Sequence, residues 1–420
     1  MGFASAYLDD RALYPELIKE APDKDTGIIV VVPSYDEPGI AKLLDSLVLC
    51  NSIPCKVEVL IVVNAPGDAS AGSIRNNKLT VENIAIWKQA HPNCFFRLYT
   101  IIADPLPVKG WGVGMARKTG MDEAVRRFNK LNKPEGVILN LDADCLVGST
   151  YLVSVFNDFL RKKGRDACSI YFEHPLSGSD FPEIVYTCIA LYEIHLRYYF
   201  QSLLNTGFPY VFHTVGSATG VKALPYIKAG GMNRRQAGED FYFIQKLVPA
   251  GGYFSLNSTV VYPSPRPSFR VPFGTGASIT KLNESGEPFL LTYNVSAFNE
   301  LKAFFNMAED YYNSDHNEFK KLYKIVPEGI KSFTGEEELS GKIMEIKNNT
   351  SGFQSFRKRF FGWFNMFRIV KYLNSVHSGI YDKKSVMIAA SELLRERGIH
   401  LKSEDPFTLL RYYRSLERDC

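Results

Sequence analysis

The stretch GVILNLDADCLVG, residues 136–148, decides the fold and also points to the chemistry. Its apolar run is typical of a strand buried on both faces, and it ends in two aspartates, Asp142 and Asp144, separated by one alanine. Alternate residues of a strand point to the same side, so we expect both carboxylates to project together. Two adjacent carboxylates need a cation, a shared proton or full hydration, and oxygen ligands suit Mg²⁺ or Mn²⁺. A solvated turn is the interpretation that an isolated Asp-x-Asp favours.

Strands and helices are predicted to alternate along the first 150 residues. Three further apolar runs predict buried strands: GIIVVVPS at 27–34, KVEVLIVVN at 56–64 and CFFRLYTIIAD at 94–104. Helical patterns separate these runs, so we expect an α/β fold with a Rossmann-like, mixed and largely parallel sheet flanked by helices. The predicted divisions are a lead segment at 1–26, a catalytic sheet domain at 27–276 with halves at 27–150 and 151–276, and a mainly helical region at 277–420.

The composition of the chain limits its partners and its compartment. Its 420 residues carry a formal net charge of only +4, so composition gives no case for nucleic acid as a partner. Its seven cysteines form no C-x-x-C pair, which favours reduced thiols in the cytoplasm. The sequence begins without a signal-peptide pattern, and no apolar stretch reaches the roughly 20 residues of a membrane span. We therefore predict a cytoplasmic protein, soluble or peripheral at the inner face of the membrane.

Polar side chains also follow the first two predicted strands. The segment VPSYDEPG at 32–39 places Tyr35 and Glu37 just after Pro33. Asn64 ends the second strand, and its amide has the donors and the acceptor that the edge of a nucleobase requires. A simple turn explains the prolines of the first segment but not its acid and its aromatic ring. For Asn64 taken alone, an Asx turn is the better interpretation.

A glycine-rich segment precedes the strand that carries the two aspartates. KGWGVGMARKTG at 109–120 matches neither the dinucleotide pattern G-x-G-x-x-G nor a Walker A sequence. It does bring Lys109, Gly110, Arg117 and Lys118 close to a predicted helix N-terminus, where backbone amides and cations can face an anion. Packing of a tight loop is the competing interpretation.

Two later segments carry further charged residues. Glu239 and Asp240 stand immediately before an apolar helix. They either complement the helix dipole or act as a general base and a neighbour that orients it. The sequence does not decide between these interpretations. Arg266 and Arg270 lie in the loop SPRPSFRVPFGTG at 264–276, where guanidinium groups could grip a diphosphate or simply be solvated.

Taken in this order, the motifs over residues 27–276 resemble the family 2 glycosyltransferases of GT-A fold. The resemblance implies a nucleotide-sugar donor, a divalent metal ion, Mn²⁺ or Mg²⁺, and inversion at the anomeric carbon. It implies that Asp240 is the catalytic base, that Glu239 positions it, and that Asp144 coordinates the metal. The donor site it implies has Pro33, Tyr35 and Glu37 at the nucleoside, Asn64 near the base, Asp142 at the ribose or the metal, and Arg266 and Arg270 at the pyrophosphate.

The segment 353–373 combines an aromatic face with basic residues. Read from Gly352, its sequence is GFQSFRKRFFGWFNMFRIVKYL. A helix of this kind can lie in a membrane interface. The alternative, that its aromatic face packs onto the rest of the protein and its basic residues are solvated, is the favoured interpretation.

The function predicted from the sequence is transfer of a sugar from a UDP-sugar, with GDP-mannose as an alternative donor, to a hydroxyl of a glycan or lipid-linked acceptor. Two other functions are weighed against it. One is a sugar-phosphate nucleotidyltransferase, and the other is a non-catalytic nucleotide-sugar-binding or scaffold protein. A cleft that keeps converging like charges argues against a scaffold.

Overall fold

The computed structural model describes residues 2–106, 112–234, 238–268, 270, 274–284, 289–401 and 405–418. The chain forms two compact units, each built from separate pieces of sequence. The first comprises Met1–Tyr186, Thr214–Lys281 and Glu417–Cys420, and the second comprises Thr187–His213 and Leu282–Leu416. The domain boundaries predicted from the sequence stay predictions.

The first unit is built around a mixed sheet, eight-stranded within the described residues, which confirms the predicted α/β fold. Its strand order is β3-β2-β1-β4-β7-β6-β8-β5. Parallel pairs join β3 to β2, β2 to β1, β1 to β4 and β6 to β8, whereas β7 is antiparallel to both of its neighbours. The strands are β1 Thr26–Ser34, β2 Lys56–Pro66, β3 Phe96–Leu106, β4 Val137–Asn140, β5 Leu146–Val147, β6 Ala167–Phe172, β7 Thr219–Lys222 and β8 Tyr253–Tyr262.

Strand β1 lies at the centre of the parallel part of the sheet and locates the candidate site. Its residues 28–32 are fully buried, as continuous rather than alternating apolarity predicts for a strand covered on both faces. Ile28 pairs with Val57 of β2 on one side and Val137 of β4 on the other. The strand order reverses direction between β1 and β4, and ligands of such sheets bind outside the carboxyl ends at that point.

Helices make up most of the remaining chain, including the region beyond residue 290, as predicted. Helices in the first part of the sequence are α1 Ser5–Arg11, α2 Ala41–Val48, α3 Ala71–Ala90, α4 Val113–Lys130, α5 Tyr151–Ser154, α6 Glu183–Asn205, α7 Ala223–Lys228, α8 Glu239–Leu247 and α9 Thr275–Glu284. Those that follow are α10 Val295–Asn306, α11 Ala308–Asn313, α12 His316–Ile325, α13 Glu328–Thr334, α14 Glu336–Asn348, α15 Phe353–Trp363, α16 Met366–Val376, α17 Val386–Glu396 and α18 Pro406–Arg418. Two short strands, β9 Leu291–Thr292 and β10 Lys384–Ser385, pair antiparallel.

Helix α4 is buried along most of its length and carries charged side chains into the interior of the first unit. The buried charged residues are Arg117, Lys118, Asp122, Glu123 and Arg127. Buried charges are tolerated when they are paired and hydrogen-bonded. Arg127, for example, forms a two-nitrogen contact with Glu58 of β2, in which its Nη2 donates to Glu58 Oε1 at 2.8 Å.

The segment before β1 supplies several of the partners that α4 requires. The Tyr7 hydroxyl donates to Asp122 Oδ1 at 2.8 Å and accepts from Lys118 Nζ at 2.9 Å. The Glu123 carboxylate accepts the backbone N–H groups of Leu17 and Ile18 at 3.1 and 3.2 Å. The lead segment is therefore an integral part of the core of the first unit.

In the second unit, the segment 353–373 forms two helices, α15 and α16, instead of one. The break lies at Phe364 and Asn365, and the Asn365 side chain caps α16 by accepting the Arg368 N–H at 3.2 Å. Phe360 and Phe364 are fully buried and contact the ring of Phe304 on α10. The aromatic face thus packs inside the second unit, whereas residues 357–359 are exposed. Contact of this segment with a membrane stays a prediction.

No helix within the described residues has the length and apolarity needed to cross a lipid bilayer.

We predict that Tyr7→Phe destabilises the first unit. Asp122 would lose one of its hydrogen bonds in a buried setting, which costs about 1–2 kcal/mol of unfolding free energy. Urea unfolding measures this change. Tyr14→Phe is the matched control, because Tyr14 lies in the same segment and contributes its backbone carbonyl, not its hydroxyl, to the contact with Arg126. Equal effects of the two substitutions would contradict the role given to the Tyr7 hydroxyl.

Candidate active site

Three carboxylates lie at the carboxyl edge of β1 and β4. Glu37 follows β1 and is buried, while Asp142 and Asp144 follow β4. Strand β4 ends at Asn140, and the Cys145 N–H donates to the Asp142 carbonyl at 3.0 Å. A turn therefore places the two aspartates, not the alternation of a strand as predicted. Each aspartate contacts a different arginine.

Arg117 of α4 joins the two aspartates' turn to the start of α8. Its Nη2 donates to Asp142 Oδ1 at 2.6 Å, and its Nη1 donates to Glu239 Oε1. The Arg117 side chain is only 4% exposed. The sequence predicted that this cation faces a bound anion, and in the structure both of its terminal nitrogens contact carboxylates of the protein. Lys109 and Gly110, predicted for the same anion site, lie outside the described residues.

The pKa values of this cluster reflect three carboxyl groups around one guanidinium. Burial lowers the pKa of Arg117, but Asp142, Glu239 and Asp240 outweigh it, so that the pKa rises above its usual value. Burial raises the pKa of Glu239 to about 7, with Arg117 opposing the rise and Asp240 adding to it. Burial also raises the pKa of Asp240, against the effect of Arg117. Both α8 carboxyl groups are therefore more readily protonated than a solvated acid.

Arg266 and Arg270 form a second cluster with Glu37 and Asp144. Arg270 Nη1 donates to Glu37 Oε1 and to the Tyr35 carbonyl, each at 2.6 Å. Arg266 Nη2 donates to Glu37 and, at 3.2 Å, to Asp144 Oδ2. Burial raises the pKa of Asp144 to about 6, and Glu37 and Asp142 add to the rise while the two arginines oppose it. The structure thus brings together all four of these predicted residues.

Sequence reasoning missed Asp36, which lies between Tyr35 and Glu37. Its backbone has a positive φ of 59°, a conformation that aspartate tolerates better than most residues. Asn76 Nδ2 donates to Asp36 Oδ1 at 2.5 Å, and Asn77 Oδ1 accepts the Asp36 N–H at 2.9 Å. The pair of asparagines in RNNKL on α3 was the available signal, and it fixes the turn that carries Glu37.

The predicted nucleoside-site residues occupy the ends of β1 and β2. Pro33 is buried within β1, opposite Val62 of β2, and Tyr35 follows the strand. Asn64 is 2% exposed, and its carbonyl accepts from Asn77 Nδ2 at 2.8 Å. Asn64 therefore forms part of the packed floor of this edge of the sheet.

Gly216 was also missed, and it permits the close approach of Arg117. A Cβ atom at this position would lie 2.6 Å from Arg117 Nη1. The backbone before β7 thus forms one wall around the guanidinium.

No protein-family model and no curated protein sequence matches the chain. Among solved structures, residues 1–349 of S. aureus TarS in complex with UDP-GlcNAc are 15% identical, with 93% of this chain and 88% of that chain covered and a TM-score of 0.39. The mannosyltransferase PcManGT from Pyrobaculum calidifontis, in complex with GDP-Man and Mn²⁺, is 14% identical over 91% of this chain and 93% of that chain, with a TM-score of 0.37. Similarity at these scores carries no weight for function.

We predict that Gly216→Ala lowers the stability of the first unit. The added methyl group must displace the buried Arg117 guanidinium, and overpacking of this kind costs about 1–3 kcal/mol. Thermal or urea unfolding measures the change. Gly39→Ala is the matched control, since a Cβ there would meet no atom within 4 Å. A Gly216→Ala protein as stable as the Gly39→Ala protein would show that the Arg117 pocket is not tight.

Proposed function

We propose that the first unit is an inverting glycosyltransferase, which moves a sugar from a nucleotide-diphosphate donor to a hydroxyl of an acceptor. The observation that carries the proposal is the contact of Arg117 with both Asp142 and Glu239. Arg117 thereby joins the turn after β4 to the acidic pair of α8. The carboxylate after β1 and the arginines after β8 form a cluster that contacts the same turn. Such a site can hold an anionic leaving group on one side and a base on the other.

Arg266 and Arg270 are proposed to hold the donor diphosphate. Guanidinium groups match the geometry of phosphate oxygens and bind them bidentately. Both arginines pair with Glu37, and Arg266 also contacts Asp144. A bound diphosphate would therefore take the place of these carboxylates as the anionic partner of the arginines. Pro33, Tyr35, Glu37 and Asn64 are proposed to line the nucleoside pocket. The donor is proposed to be a UDP-sugar, with GDP-mannose as the alternative.

Asp144 and Asp142 are the proposed ligands of a divalent cation. Their oxygen donors suit Mn²⁺ or Mg²⁺. Burial raises the pKa of Asp144, with Glu37 and Asp142 adding to the rise, and a bound cation would oppose that rise by favouring the ionised carboxylate. Among the described residues, no three His, Cys, Asp or Glu side chains are placed so that they could together hold one metal ion, so diphosphate oxygens and water would complete the coordination. When bound, the metal would stabilise the charge of the departing diphosphate.

Asp240 is proposed as the catalytic base, with Glu239 positioning it. As the acceptor oxygen forms its bond to the anomeric carbon, the bond from that carbon to the diphosphate oxygen breaks, and the hydroxyl proton passes to the Asp240 carboxylate. One displacement on one face of the sugar inverts the anomeric centre. The acceptor is proposed to be a glycan or a lipid-linked molecule.

The first test is turnover of a panel of UDP- and GDP-sugars with Mn²⁺ or Mg²⁺. We expect one donor to be turned over in a metal-dependent reaction, and Asp240→Asn to lower kcat by about 10²–10⁴-fold. Asp144→Asn should weaken the response to metal. Asp180→Asn is the control, because Asp180 forms only an exposed ion pair with Lys42 among the described residues.

If the protein binds a donor without turning it over, and the Asp240→Asn variant binds that donor equally well, the non-catalytic alternative is favoured. Absence of metal-dependent binding of every nucleotide sugar would contradict the proposed function altogether.

We predict that kcat/KM rises with pH through the range of about 6 to 7. Burial raises the pKa of Asp144 to about 6 and that of Glu239 to about 7, so both groups are protonated below these values and ionised above them. A protonated Asp144 loses its affinity for a cation, and a protonated acidic pair on α8 is a poorer base. The pH profile of donor turnover measures this, and an acidic limb that falls at the pKa of an ordinary carboxyl, near 4, would contradict it.

A further inference from the structure

The guanidinium of Arg117 contacts carboxylates from two separate parts of the candidate site. Asp142 belongs to the turn after β4, and Glu239 opens α8, nearly one hundred residues later in the sequence. We propose that Arg117 is a positioning residue, which holds the Asp142 turn and the Glu239–Asp240 pair in one arrangement and does not itself touch the substrate. This inference rests on the proposed function of Asp240 as the base.

The surroundings of Arg117 fix its side chain in place. Arg117 is a buried residue of helix α4, and the backbone at Gly216 packs against its terminal nitrogens. Its Nε is buried and has no hydrogen-bond partner among the described residues, so the two Nη atoms make its polar contacts. These contacts go to two different carboxylates, one on each Nη atom, which the planar, forked shape of the guanidinium permits.

The burial of Arg117 separates its role from that of Arg266 and Arg270. The side chains of those two arginines are 31% and 29% exposed, against 4% for Arg117. A guanidinium that is enclosed and occupied by protein carboxylates is suited to orienting them. Arg266 and Arg270 have the accessible surface that contact with a ligand requires.

Loss of Arg117 would leave the buried carboxylate of Glu239 without its ion-pair partner. The cost of an unpaired buried charge falls when the charge itself is removed, so the two substitutions should be strongly non-additive. The first test is therefore a double-mutant cycle of Arg117→Met and Glu239→Gln, read by thermal unfolding. We expect Arg117→Met to lower the unfolding midpoint by several degrees, and the double variant to regain at least about half of that loss.

Arg127 provides the matched control, since it is the other buried arginine of α4 that pairs with a carboxylate, at Glu58. The cycle of Arg127→Met and Glu58→Gln should show the same kind of non-additivity in stability. Additive losses in the Arg117 cycle, alongside coupling in the Arg127 cycle, would overturn the proposed pairing role. If Arg117→Met does not fold, Arg117→Lys takes its place in the cycle.

The second test uses the kinetics of Arg117→Lys. Lysine keeps the charge but carries it on one nitrogen in place of two separate Nη donors. We therefore expect kcat to fall about tenfold or more while the KM of the donor changes less than about threefold. Arg127→Lys, measured per folded molecule, should keep the kcat of the wild type. A higher donor KM with unchanged kcat would overturn the inference, because it would place Arg117 on the donor.

Failure of this inference and failure of the proposed function give different results. If the wild-type protein turns over no nucleotide sugar, the proposed function fails, and the unfolding cycle still decides whether Arg117 couples to Glu239. If the wild type is active but Arg117→Lys keeps full kcat, the function stands and the positioning role fails.

Discussion

The pairing of buried charges on helix α4 is the constraint on which the first unit depends. A charge inside a protein is destabilising unless it meets a partner, and α4 carries five charged side chains inward. Their partners come from regions far apart in the sequence: the segment before β1, strand β2, the turn after β4 and the start of α8. Each of these regions is thereby held at a fixed place around one helix. The sheet supplies most of the apolar core, while α4 determines how the surrounding loops are arranged on it.

The candidate site lies where the charged partners of α4 meet the carboxyl edge of the sheet. Its carboxylates and arginines neutralise one another in two clusters, one around Arg117 and one around Glu37. In the first cluster, burial raises the pKa of Glu239, and the neighbouring acids Asp240 and Asp142 add to that rise against the opposing effect of Arg117. In the second, the charges are partly exposed and open to exchange with an anionic ligand. The same kinds of side chain therefore form one cluster around an enclosed guanidinium and one accessible cluster.

Sequence patterns predicted the features that depend on neighbouring residues. The continuous apolarity of β1, β2 and β4 predicted buried parallel strands, and the acids at their carboxyl ends predicted the edge of the sheet where the candidate site is placed. Patterns could not show what Arg117 contacts. The local sequence of a cation near a helix N-terminus is the same whether the cation faces a ligand or the carboxylate of residue 239. They also missed Asp36, whose role depends on asparagines of α3. The break at Phe364 and Asn365 was hidden for the same reason, since the helical spacing of the aromatic residues continues across it.

The two units are interleaved along the chain, and this affects the order in which they can form during synthesis. The first unit includes residues 417 and 418, where Asn257 Nδ2 donates to the Glu417 carbonyl at 2.8 Å and Arg418 pairs with Glu173 at 3.0 Å. The second unit begins with residues 187–213, which wait for partners that follow residue 281. Domains that are continuous in sequence can fold one after another as they leave the ribosome. Here the second unit cannot be completed until the residues after 281 have been translated, and the last contacts of the first unit form only with residues 417 and 418.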